Sequence, residues 1–188
     1  MLVLGLDGAT WNVILPHRRS LPAFSSLLDT WDHGTLVLDQ KPWSAPIWTS
    51  MFSGLEPEEH HHHDFARNGS LVRREDLPFP FVWDRLSAQG RRGVALNVPF
   101  VMPPYSFGVL FAPPADGLPV SPDECREEVR ALSGAVRDAY RSAPELVVAV
   151  ITALDRISHR HWGGTRSWSS TRKSIASCRV SWSSIRGS

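Results

Sequence analysis

Four side chains combine a chemically useful type with a useful setting. Asp7 follows the apolar run Leu2–Leu6 and precedes Gly8, so a rigid strand would present its carboxylate, a hard oxygen ligand for a divalent cation. An Asp before Gly equally serves a turn or a helix cap. Ser44 stands in Pro42-Trp43-Ser44-Ala45-Pro46, just before a helical pattern. The unpaired N–H groups and partial positive charge at such a helix start favour an alkoxide nucleophile and an incoming phosphate. The plainer role is an N-cap serine. Asp155 and His159 are spaced i, i+4; on a helical turn both face one point, and carboxylate oxygen with imidazole nitrogen suits zinc or a similar metal. A surface pair is the alternative, and His161 is a weaker candidate. The run His60–His63 is expected to be a solvated loop, with His60 its one member of wider interest.

These residues need elements to hold them. Apolar Leu2–Leu6, Gly34–Asp39, Gly93–Val98 and Glu145–Thr152 have the form of strands. Helical patterns cover Thr10–His17, Leu21–Asp29, Ala45–Phe52 with Gly54 as stop, and Phe81–Gln89 with Gly90 at C′. Ser121-Pro122-Asp123-Glu124 combines an N-cap, Pro at N1 and a capping-box Glu, and opens a helix to about Ser142. Strand, crossover helix and strand in alternation imply an α/β fold with a mostly parallel sheet. Ligands of such sheets sit beyond the carboxyl ends of the strands. Asp7, Ser44 and the Asp155 cluster fall at three such ends.

With 188 residues, 42% of them hydrophobic, the chain has material for one sizeable core. Twenty Lys and Arg against 19 Asp and Glu leave a charge of +1, too little for a dedicated nucleic-acid or membrane-surface binder. No apolar run of about 18 residues and no basic leader appear, so the expectation is a soluble, cytoplasmic protein. Cys125 and Cys178 have no metal-like spacing. Residues 103–122 hold six of the fifteen prolines and read as a loop or small insertion. The composition then changes: residues 163–188 contain nine Ser, four Arg and one Lys, with no Asp or Glu. Three readings stay open for this segment: a disordered Ser/Arg-rich tail, an RNA-binding appendix, or a shifted translation frame.

Several motifs occur in a compatible order. Val3-Leu4-Gly5-Leu6-Asp7-Gly8 is followed by Leu21-Pro22-Ala23-Phe24 with Leu27-Leu28, then by Pro42 to Gly54 with Glu56-Pro57 and His60. Trp83-Asp84-Arg85-Leu86, Asn97-Val98-Pro99 and Thr152 to His159 come after. Over residues 1–162 the chain resembles the type I phosphodiesterase/nucleotide pyrophosphatase branch of the alkaline phosphatase superfamily. The resemblance implies a three-layer, alkaline-phosphatase-like α/β sandwich, of which this would be the N-terminal part only. In that superfamily the nucleophile stands two residues before a Pro and nine before the residue preceding a Gly. Ser44 meets both conditions through Pro46 and Ser53-Gly54; Thr49 meets neither.

By the same resemblance, two divalent ions, zinc or alternatively manganese, would flank the phosphoryl group. Asp7 and Ser44 would bind one, Asp155 and His159 the other, and Ser44 would form a phospho-enzyme. The family completes these sites with a downstream Asp-His pair and a later His that have no counterpart here, which implies a truncated chain of weak or no activity. The nucleotide-binding Asn of the family also has no clear match; Phe65 stands near that point. The expected partner is a small phosphorylated substrate, a nucleotide or phosphodiester, with no nucleic-acid-binding module, no membrane and an open oligomeric state. Rivals are a phosphomutase or sulfatase of the same superfamily, although Ile47-Trp48 offers no Arg for a sulfatase motif. A non-catalytic remnant with a basic tail is the rival from another class.

Overall fold

The computed structural model describes residues 1–39, 41–102, 104–105 and 121–161, with the side chains of residues 160 and 161 left aside. The 163–188 segment, nearly all of the 103–122 insertion and the His161 side chain therefore lie outside the described residues. Strand β1 spans Leu2–Leu6, followed by α1 (Trp11–Ile14), a 3-10 turn at Arg18–Ser20 and α2 (Pro22–Thr30). Then come α3 (Ser44–Ser53), α4 (Pro57–His60) and the two-residue strands β2 (Ala66–Arg67) and β3 (Ser70–Leu71). A second 3-10 turn at Arg74–Asp76 leads into α5 (Val82–Ala88), β4 (Gly93–Leu96), α6 (Pro122–Tyr140), β5 (Leu146–Ile151) and α7 (Ala153–His161).

The main sheet has the order β1-β5-β4 and is wholly parallel, with Leu2 opposite Val147 and Val94 also opposite Val147. Strand β5 is central, which is why Leu146–Ile151 is apolar at every position: both of its faces are covered. Val148 and Val150 pack against Trp48, Phe52, Phe81, Trp83 and Phe100. Val147, Ala149 and Ile151 pack on the other face against Cys125, Val129, Leu132 and Val136 of α6 and Ile157 of α7. Helices on both faces of a parallel sheet make the α/β fold that the alternating pattern predicts, in the three layers that the resemblance implies.

Two helix signals hold closely, one in each half of the chain. Ser121 caps α6, its Oγ accepting from the Glu124 N–H, while the Ser121 N–H donates to the Glu124 carboxylate at 2.6 Å. Gly54 ends α3 in the left-handed conformation at φ 76°.

Three expectations are corrected. Gly34–Asp39 forms no strand; Leu36 and Val37 are 85% and 87% exposed. A short apolar run makes a strand only where a neighbouring edge takes up its N–H and C=O groups, and this segment pairs with none among the described residues. Ser44 therefore follows an extended loop rather than a strand end. Its position in α3 also differs: Trp43 is the N-cap and Ser44 the first helical residue, so it is not a capping serine. The histidine run is not a solvated loop either, because His60 and His62 are buried. His60 ends α4, and its Nδ1 accepts from the His62 N–H at 3.0 Å. His62 Nε2 bonds the Phe100 carbonyl at 2.5 Å, turning the run inward.

Candidate active site

The site assembles where β1 and β5 end. The Asp7 N–H continues the ladder by donating to the Ile151 carbonyl at 3.0 Å, which fixes the carboxylate one residue past the strand. Gly8 then turns the chain at φ 74°. A Cβ at this position would stand 2.6 Å from the Asp155 Cα and 2.8 Å from its backbone nitrogen. Only glycine permits the backbone to take this φ without strain while lying against the first turn of α7. That contact brings Asp7 and Asp155 into one neighbourhood.

A second glycine admits α3. A Cβ on Gly5 would stand 2.6 Å from the Trp48 ring, so the bare strand leaves room for the indole and lets the start of α3 approach. Ser44 Oγ then donates to Asp7 Oδ2 at 3.0 Å. As the first residue of a ten-residue helix, Ser44 sits among N–H groups with no intrahelical acceptor and in the positive end of the helix dipole.

The competing hydroxyls of α3 are committed elsewhere. Thr49 is 0% exposed and its Oγ1 donates to the Ala45 carbonyl at 2.7 Å. Ser50 Oγ lies 3.0 Å from His60 Nε2. Because His60 Nδ1 accepts a backbone N–H, Nε2 carries the proton and donates to Ser50, so this pair is not a serine with a waiting base.

The two carboxylates feel each other. Burial, reinforced by the negative charge of Asp155, raises the Asp7 carboxyl to about 6, although hydrogen bonds from Ser44, Trp48 and the Gly8 backbone pull it down. Burial also raises Asp155, with His159 countering from the same helix. His159 Nε2 lies 3.4 Å from Asp155 Oδ2, and its side chain is 60% exposed. The structure thus brings Asp7 to Ser44 by a direct bond, Asp7 to Asp155 through the Gly8 contact, and His159 to Asp155 as an i, i+4 pair.

The donors match a divalent cation in kind: carboxylate and hydroxyl oxygens plus an imidazole nitrogen. Two adjacent carboxylates with raised pKa values are also what a cation would relieve. In number they fall short, since among the described residues no three His, Cys, Asp or Glu side chains are grouped to hold a metal. No helix among those residues is long and apolar enough to cross a membrane.

Sequence reasoning missed the buried Glu128 on α6, which bonds Asn97, Thr152 and Arg156 directly behind the site. A signal was present. Glu128 occupies the same helical stripe as Cys125, Val129, Leu132 and Val136, where a charge is out of place.

No curated protein matches the chain. The family model described as type I phosphodiesterase/nucleotide pyrophosphatase matches residues 1–174.

Proposed function

The chain belongs to the type I phosphodiesterase/nucleotide pyrophosphatase family, and from that premise we propose that it is built to hydrolyse phosphoric esters through Ser44. The family consists of phosphodiesterase- and pyrophosphatase-type hydrolases acting on phosphodiester or nucleotide substrates, and it is generally metal-dependent. The observation that carries the serine assignment is the 3.0 Å bond from Ser44 Oγ to Asp7 Oδ2. It directs the hydroxyl proton to Asp7 and leaves the lone pairs of the serine oxygen uninvolved in that bond. The N–H groups of the first turn of α3 face the same end and favour a bound phosphoryl oxygen. Attack by Ser44 Oγ on phosphorus forms a phosphoserine and releases the first alcohol or nucleotide. Water then cleaves the new P–O bond and restores the serine.

Asp7 with Ser44 would hold one divalent cation, and Asp155 with His159 a second, zinc or manganese. Such ions supply charge neutralisation at the phosphoryl oxygens and a lower pKa for the bound oxygen nucleophile. Two protein donors per ion make a loose site, so turnover by the 188-residue chain is expected to be weak. That shortage also favours a second reading, a non-catalytic chain that binds phosphoric esters without turning them over.

The test is hydrolysis of bis(p-nitrophenyl) phosphate with added zinc or manganese. Ser44→Ala removes any activity, whereas Thr49→Ser retains most of it. Activity that survives Ser44→Ala refutes the assignment. Saturable binding of a nucleotide with no turnover and no phosphoserine moves the weight to the non-catalytic reading.

A further inference from the structure

A buried carboxylate lies behind the site with no assigned role. Glu128 on α6 is 2% exposed. Its Oε1 accepts from the Thr152 N–H at 2.8 Å, from Thr152 Oγ1 at 3.0 Å and from Asn97 Nδ2 at 3.2 Å. Its Oε2 pairs with the Arg156 guanidinium, which is itself buried. Each partner occupies a structural junction. Asn97 follows β4, turns the chain in the left-handed region at φ 58°, and also donates to the Val150 carbonyl at 2.7 Å. Thr152 is the residue between β5 and α7, and Arg156 lies in the first turn of α7 beside Asp155.

One carboxylate therefore ties together the carboxyl ends of β4 and β5 and the beginning of α7. Buried ion pairs add little net stability, because desolvation offsets most of their attraction; fixed geometry is their better-attested use. We propose that Glu128 is a positioning residue of the site. It sets the angle and register at which α7 presents Asp155 and His159 to the Asp7–Gly8 turn. The alternative is a purely structural carboxylate that stabilises the whole domain evenly. The inference rests on the reading of Asp7, Ser44, Asp155 and His159 as the functional site.

The experiment compares Glu128→Gln and Arg156→Met with the parent in the full 188-residue chain. In Glu128→Gln the acceptor of Thr152 and Asn97 is kept, but an amide nitrogen faces the guanidinium. Arg156→Met leaves Glu128 its three Oε1 bonds and removes the guanidinium that links it to α7; it keeps the test alive if the first variant does not fold. Amide hydrogen exchange at residues 153–159 should rise ten-fold or more in both variants, with β5 and α5 within two-fold of the parent. Where the parent turns over the diester, kcat should fall at least ten-fold while KM stays within two-fold.

Exchange that rises equally in α5, β5 and α7 means general stabilisation, and overturns the proposal. So does unchanged exchange in α7, or an unchanged kcat in an active parent. A parent chain that hydrolyses nothing counts against the hydrolase reading, and the exchange measurement still decides the role of Glu128.

Discussion

Replacing Asp7 by Asn should strengthen the metal-free fold while it disables the site. In the folded chain the Asp7 carboxyl titrates at about 6, against an ordinary 3.8. The folded state thus binds more protons than the unfolded state between these values. The contribution of Asp7 to stability is therefore fullest below about pH 4 and is lost as pH rises through 6. At pH 7.5 the ionised carboxylate costs the fold about 2–3 kcal/mol; at pH 4.5, where the folded carboxyl is mostly protonated, the cost is about 1 kcal/mol. Asparagine copies the protonated form and keeps an oxygen to accept from Ser44. Urea unfolding in chelator should therefore show Asp7→Asn more stable by about 2–3 kcal/mol at pH 7.5, and by about 1 kcal/mol at pH 4.5. Excess manganese should close the gap by stabilising only the parent. An Asn variant no more stable than the parent at pH 7.5, or an advantage equal at both pH values, would refute the reasoning.

Other substitutions probe the supports of the site. Gly8→Ala combines a left-handed φ with a Cβ 2.6 Å from the Asp155 Cα; unfolding should show a loss of about 2 kcal/mol or more, beyond the strain of φ alone. Phe81 is fully buried and stacked with Trp83 and Phe100, so Phe81→Ala should cost about 3–5 kcal/mol in the same assay. His62 is held below the ordinary imidazole pKa chiefly by burial, so the unfolded state takes up protons first and stability falls as pH drops below about 6.5. Gln keeps a donor for the Phe100 carbonyl and does not titrate. His62→Gln should therefore shrink the difference in urea midpoint between pH 7.5 and 5.5, and an unchanged difference would count against this account.

The parts of the fold legible in the sequence are those where local chemistry and long-range packing agree. Leu146–Ile151 is apolar throughout because it is central, and Ser121 with Glu124 closes a capping box that needs no distant partner. Leu36–Val37–Leu38 shows the opposite case, since strand propensity that meets no pairing partner among the described residues leaves an exposed loop. The hairpin of β2 and β3 was within reach: Asn68-Gly69 lies in the left-handed region at φ 53° and 78°, the tight-turn signature that such a pair announces. The site is legible in part. Asp7 is marked by the strand it follows and Asp155 by the polar cluster after β5, but their contact depends on Gly8, whose role appears only once the placement of α7 against the end of β1 is known. Glu128 was hidden because a charge among Arg126, Glu127 and Arg130 looks like part of a solvated helix face until the stripe is counted residue by residue.

The strand order carries a kinetic consequence. Among the described residues β1 pairs with β5 alone in the main sheet, and Leu2 finds Val147 some 145 residues later. During synthesis at about 5–20 residues per second, the first strand waits about 7–30 s before its partner leaves the ribosome. Through that interval its apolar edge is open to any passing strand or holding chaperone. Closing so long a loop precedes every stabilising contact between the two strands, so the final step of folding is slow. Asp7 meets Asp155 only in that step. The site and the closed sheet therefore appear together, and a half-made chain exposes neither a formed cation site nor an aligned serine.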